Sequence, residues 1–147
     1  MKKFFWILIF AMMAMLSACG EPTADYEPEG IINIRERFFA QHIREIYASP
    51  DDNLGRTIRL EGMFFTRTFQ DTGERFHVVT RGTVTCCGNR GEIGFEVVLG
   101  DREPFPDDTW VQVTGVLQEN ETYGFLYLAV SSVIETERGE TEVFAPH

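Results

Sequence analysis

Downstream of Pro50 the chain breaks into short stretches of alternating or β-branched residues, each closed by a turn signal, and this rhythm constrains the fold more than any other feature. Thr57 to Phe65 alternates at first, with Ile58, Leu60 and Gly62 on one side and Thr57, Arg59 and Glu61 on the other. Gly62 permits a bulge or bend there. Asp71-Thr72-Gly73 marks a turn. Phe76 to Cys86 alternates again, placing Phe76, Val78, Val84 and Cys86 on one face, read as the core face, and His77, Arg81, Thr83 and Thr85 on the other. Gly88-Asn89-Arg90-Gly91 turns the chain, and Ile93 to Leu99, Trp110 to Leu117 and Phe125 to Ile134 supply three further strands, separated by the loops "GDREPFPDD" and "QENETYG". Upstream, Ile31-Ile32-Asn33-Ile34 is a short edge strand. From Arg35 the period lengthens, and Phe39, Ile43, Ile46 and Tyr47 recur at helical spacing until Ser49-Pro50 stops the helix. Five main strands and one N-terminal amphipathic helix predict a mainly β domain, a small five-stranded OB-like barrel.

The first 30 residues stand outside this pattern. Met1-Lys2-Lys3 precedes an apolar stretch from Phe4 to Met15, followed by Leu16-Ser17-Ala18-Cys19 with small residues just before the cysteine. The stretch is shorter than the roughly 20 residues that a membrane span needs, and its ending is that of a secretory signal with a lipobox. The predicted organisation is a signal peptide over residues 1–18, a lipid-bearing Cys19 and acidic tether through residue 30, the folded domain over 31–138, and an acidic tail over 139–147. Such a protein sits on the extracytoplasmic face of a membrane, held by the lipid on Cys19. The whole chain carries a net charge of −10, and loss of the signal removes both of its lysines. A surface this acidic repels polyanions, so nucleic acid is excluded as a partner.

Three stretches carry a resemblance. "GRTIRLEGM" (Gly55 to Met63), "RGTVTCCGNR" (Arg81 to Arg90) and "DTWVQVTG" (Asp108 to Gly115) resemble, in this order, the glycine-flanked strand, the Cys-Cys stretch and the Trp-Val strand of the C-terminal domain of the YcgQ family. These are membrane-associated proteins encoded beside a predicted permease. The similarity runs over about residues 31 to 134, nearly the whole folded part. Where the family has Ala-Asp after the cysteines, this chain has Asn89-Arg90, and a lipid anchor stands in place of the family's membrane-spanning half. The resemblance implies an OB-like barrel linked to a transport system, with metal homeostasis as the connecting chemistry.

The adjacent Cys86 and Cys87 leave three readings open. On an ideal strand Cys86 enters the core as a small hydrophobe and Cys87 faces out. An exported chain also permits a disulfide, but adjacent α-carbons lie about 3.8 Å apart, short of the usual separation of about 4.4 to 6.8 Å. A vicinal bond would be strained and labile, which suits redox cycling. The third reading is thiolate binding of zinc or Cu(I), for which a turn at Gly88 swings both sulfurs to one side. Candidate metal ligands are then Cys86, Cys87 and His77; His42 and His147 are the other histidines. His77 has the opposite parity to the core face and lies nine residues before Cys86, so its convergence requires a bulge at Gly82. No Ser-His-Asp, phosphate-loop or His-Glu-x-x-His signature points to an enzyme, and Glu135, Glu137, Glu140 and Glu142 read as a solvated face. The favoured function is a non-catalytic, membrane-anchored binding module that works with a permease or envelope partner and handles a thiophilic metal. A thiol-redox protein and an interaction barrel with buried cysteines are the alternatives.

Overall fold

A computed structural model of the chain describes residues 30–84 and 88–139 in full and the backbone of 142–144. Cys19, Cys86, Cys87 and His147 lie outside the described residues, as do the signal and most of the tether.

The elements follow in the order β1 (Ile31–Ile34), a 3-10 turn (Glu36–Phe38), α1 (Phe39–Ala48), a second 3-10 turn (Pro50–Asp52), β2 (Thr57–Thr68), β3 (Arg75–Val84), β4 (Arg90–Val98), β5 (Thr109–Glu119), β6 (Leu126–Glu135) and β7 (Glu142–Phe144). The protein is mainly β, with all seven strands in one sheet and a single short α-helix among the described residues. β2 is long enough to serve two neighbours. Its first part, Thr57 to Phe64, runs antiparallel to β5, and its last part, Met63 to Thr68, runs antiparallel to β3. β5 pairs with β6, β6 runs parallel to β4, and β4 pairs with β3, so the hydrogen-bonded circuit returns to β2. β1 and β7 are additions, each parallel to one member of the circuit: β1 to β2, and β7 to β3 at Gly82 to Val84. The segment read as an acidic tail therefore contributes a strand. No helix among the described residues is long and apolar enough to cross a membrane.

Each predicted strand lies within or beside an observed one, although Arg90 and Gly91, expected in a turn, open β4 and pair with Val84 and Thr83; two further local expectations are corrected. Gly62 makes no register shift in either ladder; the shift lies at Thr114/Gly115, where β5 meets β6. What Gly62 supplies is room, because a Cβ there would lie 2.8 Å from the Thr80 carbonyl oxygen, at the point where β2 passes from β5 to β3. The second correction concerns the phase of β3. Val79 and Arg81 are buried, with Thr83 at the margin, while Phe76, Val78 and Val84 are only half-buried. The face with more apolar residues is thus not the core face.

A buried cation explains the inversion. Arg81, 2% exposed, donates from Nε to the Glu61 carbonyl at 2.8 Å and from Nη1 to Glu36 Oε1 at 3.1 Å. Its guanidinium carbon lies 4.7 Å from the ring centre of Phe39 and 4.9 Å from that of Trp110. A desolvated cation over an aromatic face gains about 2 kcal/mol, and the ion pair with its hydrogen bonds offsets the cost of removing the charge from water. Around it α1 buries Phe39, Ala40, Ile43 and Ile46 against Ile58, Leu60, Phe64, Phe95 and Leu128; each large side chain so buried contributes about 1.5–3 kcal/mol. Tyr47, expected on the same stripe, stays about half exposed, stacks on Phe95 at 5.4 Å and donates its hydroxyl to the Gly94 carbonyl at 3.3 Å.

Replacing Arg81 by methionine keeps the volume but removes the charge and its donors, and is expected to lower the unfolding free energy by about 3 kcal/mol. Arg81→Lys recovers little of this, since a compact ammonium lacks the planar fork that serves Glu61, Glu36 and two rings together. Urea unfolding of the three proteins checks the order; a methionine variant as stable as the parent would show that the cation does not organise the core.

Candidate functional site

Two turns converge beside the outer face of β3 and β4. The β2–β3 turn is closed by Phe69 N–H donating to Glu74 O and Gly73 N–H donating to Phe69 O, both at 2.9 Å. Gly73 has a φ of +70°, which a residue without Cβ adopts freely. The turn presents Phe69, whose ring stacks on Phe76 with centroids 4.3 Å apart. The β5–β6 turn is held by Asn120, whose backbone N–H donates to Phe125 O at 2.9 Å and whose side-chain oxygen accepts from Thr122 and Tyr123 N–H at 3.0 and 3.2 Å. It presents a second ring pair, Tyr123 on Phe125, with centroids 6.0 Å apart and planes 13° from parallel.

Between the turns lies a cleft of about 370 Å³, lined by both ring pairs, Glu74, Glu96 and Val98 among others. A continuation of about 440 Å³ reaches Asp71 and Thr72. The apolar lining faces solvent: Phe69 is 38% exposed, Val98 45% and Tyr123 74%. Arg102, which also lines the cleft, is committed to the scaffold, donating to the carbonyls of Leu99, Val130 and Ser131 at 3.0, 3.1 and 2.8 Å. Arg75 lines the cleft as well, so Glu74 and Glu96 share it with two guanidinium groups. Burial and then the charge of Glu74 raise the pKa of Glu96 above its ordinary 4.5. Glu96 in turn joins burial in raising that of Tyr47.

His77 sits at the same end of β3. Its Nδ1 lies 3.2 Å from Thr66 Oγ1 and its ring stacks on Phe64 at 5.3 Å. Its pKa is lowered below the ordinary 6.5 by burial and then by Arg75, with Asp107 opposing.

A family model described as the DUF1980 C-terminal domain matches residues 14–142. The chain belongs to this family. The match bears out the likeness to the C-terminal domain of the YcgQ family. No curated protein and no solved structure matches the chain.

In this DUF1980 domain the β3–β4 ladder passes Gly82 without a register shift, from Val78↔Glu96 to Val84↔Arg90. The bulge needed to fold His77 back does not form, and His77 lies seven residues before Val84, about 23 Å along an extended strand. Cys86 and Cys87 belong to residues 85–89, which connect the paired Val84 and Arg90, and lie outside the described residues, as does Cys19. His42 lies on α1 beside Phe38, with ring centres 6.0 Å apart; its Nδ1 is buried and meets no hydrogen-bond partner among the described residues. Among the described residues no three His, Cys, Asp or Glu side chains are grouped to hold a metal ion. The cleft residues Phe69, Tyr123, Phe125 and Glu96 escaped the sequence reading. Their signal was the aromatic pairs that bracket the two turns, in "FQDTGERF" and "YGF".

The two shifted groups give opposite pH slopes. A raised Glu96 pKa means that the native state holds this proton more tightly than the unfolded chain, so its contribution makes stability fall as pH rises from 4.5 through the raised value. A lowered His77 pKa makes stability rise with pH from the lowered value up to 6.5. Urea midpoints taken from about pH 4 to about pH 7 are expected to show Glu96→Gln gaining on the parent towards neutrality and His77→Gln gaining on it towards acid. Parallel curves for all three would refute both assignments.

Proposed function

We propose that this protein is a membrane-anchored, extracytoplasmic binding module, held by a lipid on Cys19, in which the closed circuit of five strands is an OB-like barrel. The circuit supports the barrel reading because β2, β3, β4, β6 and β5 each pair with two neighbours, with β4 and β6 parallel. OB barrels bind on the outer face of their second and third strands, between the loops joining the first to the second strand and the fourth to the fifth. Counted round this circuit those are β3, β4 and the two turns that carry the ring pairs. The observation that carries the proposal is the outward cleft itself, a hollow of about 370 Å³ flanked by two stacked ring pairs with carboxylates between them. The module has no catalysis of its own and works with a permease or another envelope component.

Position 123 tests this. With Tyr123 replaced by benzoylphenylalanine in the full chain, illumination of intact envelopes is expected to give an adduct that the same probe at Ile134, exposed on β6, does not give. Equal labelling at both positions would sink the cleft reading. Cys19→Ser is expected to abolish incorporation of a labelled fatty acid into the protein, and a parent chain that takes up no label would remove the anchor.

For the cysteine pair we propose metal handling by thiolates at the 85–89 connection. What favours it is the presence of two adjacent soft thiol donors in the short segment that joins the paired Val84 and Arg90. His77 is too distant to share that site, so a zinc or Cu(I) ion there would be completed by a partner. Native mass spectrometry of protein purified without chelator is expected to show a bound ion that the Cys86→Ser/Cys87→Ser variant lacks. A metal-free parent lighter than calculated by two hydrogens would shift the pair to the redox reading.

A further inference from the structure

Resting on the cleft reading above, we infer that the ligand is an oligosaccharide of uncharged or amino sugars. The cleft has the chemistry that such a chain needs. A pyranose has flat C–H faces and a rim of hydroxyls, so it is held by aromatic platforms that take the face and by polar groups that take the rim. Here there are two platforms, one on each turn, and each is stacked in advance on a second ring: Phe69 on Phe76 and Tyr123 on Phe125. Support from behind keeps the exposed rings from collapsing onto one another, and pre-ordering lowers the entropic cost of binding. The rim chemistry comes from Glu74 and Glu96, hydrogen-bond acceptors facing the same space.

Charge narrows the class. OB barrels take oligonucleotides or oligosaccharides on this face, and the first is disfavoured by a chain of net charge −10 whose cleft carries Glu74, Glu96 and Asp71. Two arginines, Arg75 and Arg102, also line the cleft, the second with three backbone carbonyls as partners, so the exclusion rests on the charge of the whole chain together with the excess of carboxylates. The three carboxylates outnumber the two arginines, which disfavours uronic-acid or phosphorylated glycans against neutral or amino sugars. Glu96 is the discriminating group: burial already disfavours its charge, so an ammonium or hydroxyl donor gains more from meeting it than from a solvated carboxylate.

The test uses the full chain in detergent, titrated calorimetrically with acetylated and deacetylated chito-oligosaccharides and with oligogalacturonate. The expected result is saturable binding of the first two, with the deacetylated form tighter, and none of the third. Tyr123→Ala is expected to weaken binding about tenfold, Ile134→Ala to leave it unchanged, and Glu96→Gln to erase the advantage of the deacetylated form. Binding that survives Tyr123→Ala intact, or galacturonate bound as well as the neutral sugar, would overturn the inference. If no sugar binds while the probe at position 123 still captures an envelope protein, the sugar assignment falls and the cleft stands with a peptide ligand. If neither occurs, both fall.

Discussion

A single buried cation sets the phase of the strand on which this domain depends. In a strand the side-chain period is two, so inverting one residue inverts them all. Arg81 has its partners on the inside, in the Glu61 carbonyl, the Glu36 carboxylate and the rings of Phe39 and Trp110. Once it is there, Val79 and Thr83 must follow it inward, and Phe76 and Val78 must turn out. The aromatic floor of the cleft is a consequence of where a charge could be satisfied. Placing Arg81 outside would bury more apolar surface on β3, but would leave the rings over the guanidinium and the carboxylate beside α1 without the group they are arranged around.

The three stretches that carry the family resemblance meet at this cation. Glu61 comes from the first, Arg81 from the second and Trp110 from the third. They are far apart in sequence and are joined here because β2 is shared between β5 and β3. The shared motifs are therefore an account of how the circuit closes. None of Phe69, Tyr123 and Phe125 lies in them, although all fall within the residues that the family model matches. The quoted stretches build the frame, and the proposed cleft lies on two turns outside them.

This division also explains what could be read without coordinates. The strands, the helix and its stop at Ser49-Pro50 depend on local periods and turn chemistry, and these were legible. The phase of β3 was not, because Phe76, Val78 and Val84 outvote Val79 on any local count, and the partners that outweigh them sit on α1, β2 and β5. The role of Gly62 was misread for a related reason: a glycine kept for a bulge and one kept for the close approach of Thr80 look the same in one strand. β7 was missed because three residues in an acidic stretch carry too little pattern to stand against the tail reading. The cleft was visible only as aromatic residues around two turns, and nothing local says that separate turns face each other.

The placement of the two proposed activities follows from the same strand. The cleft lies at the start of β3 and the cysteine-bearing connection at its end, with Arg81 between them, fixed to β2, to α1 and to the 3-10 turn before it. Coupling between distant sites needs an element with two arrangements that both sites bias. A strand pinned at a fully buried ion, paired on one side with β4 without a break and on the other with β2 and β7, is a poor candidate for such an element. A partner engaging residues 85–89 and a ligand in the cleft should then bind independently, each leaving the other's affinity unchanged. Such a frame holds the start and the end of β3 at a fixed separation and does not act as a switch.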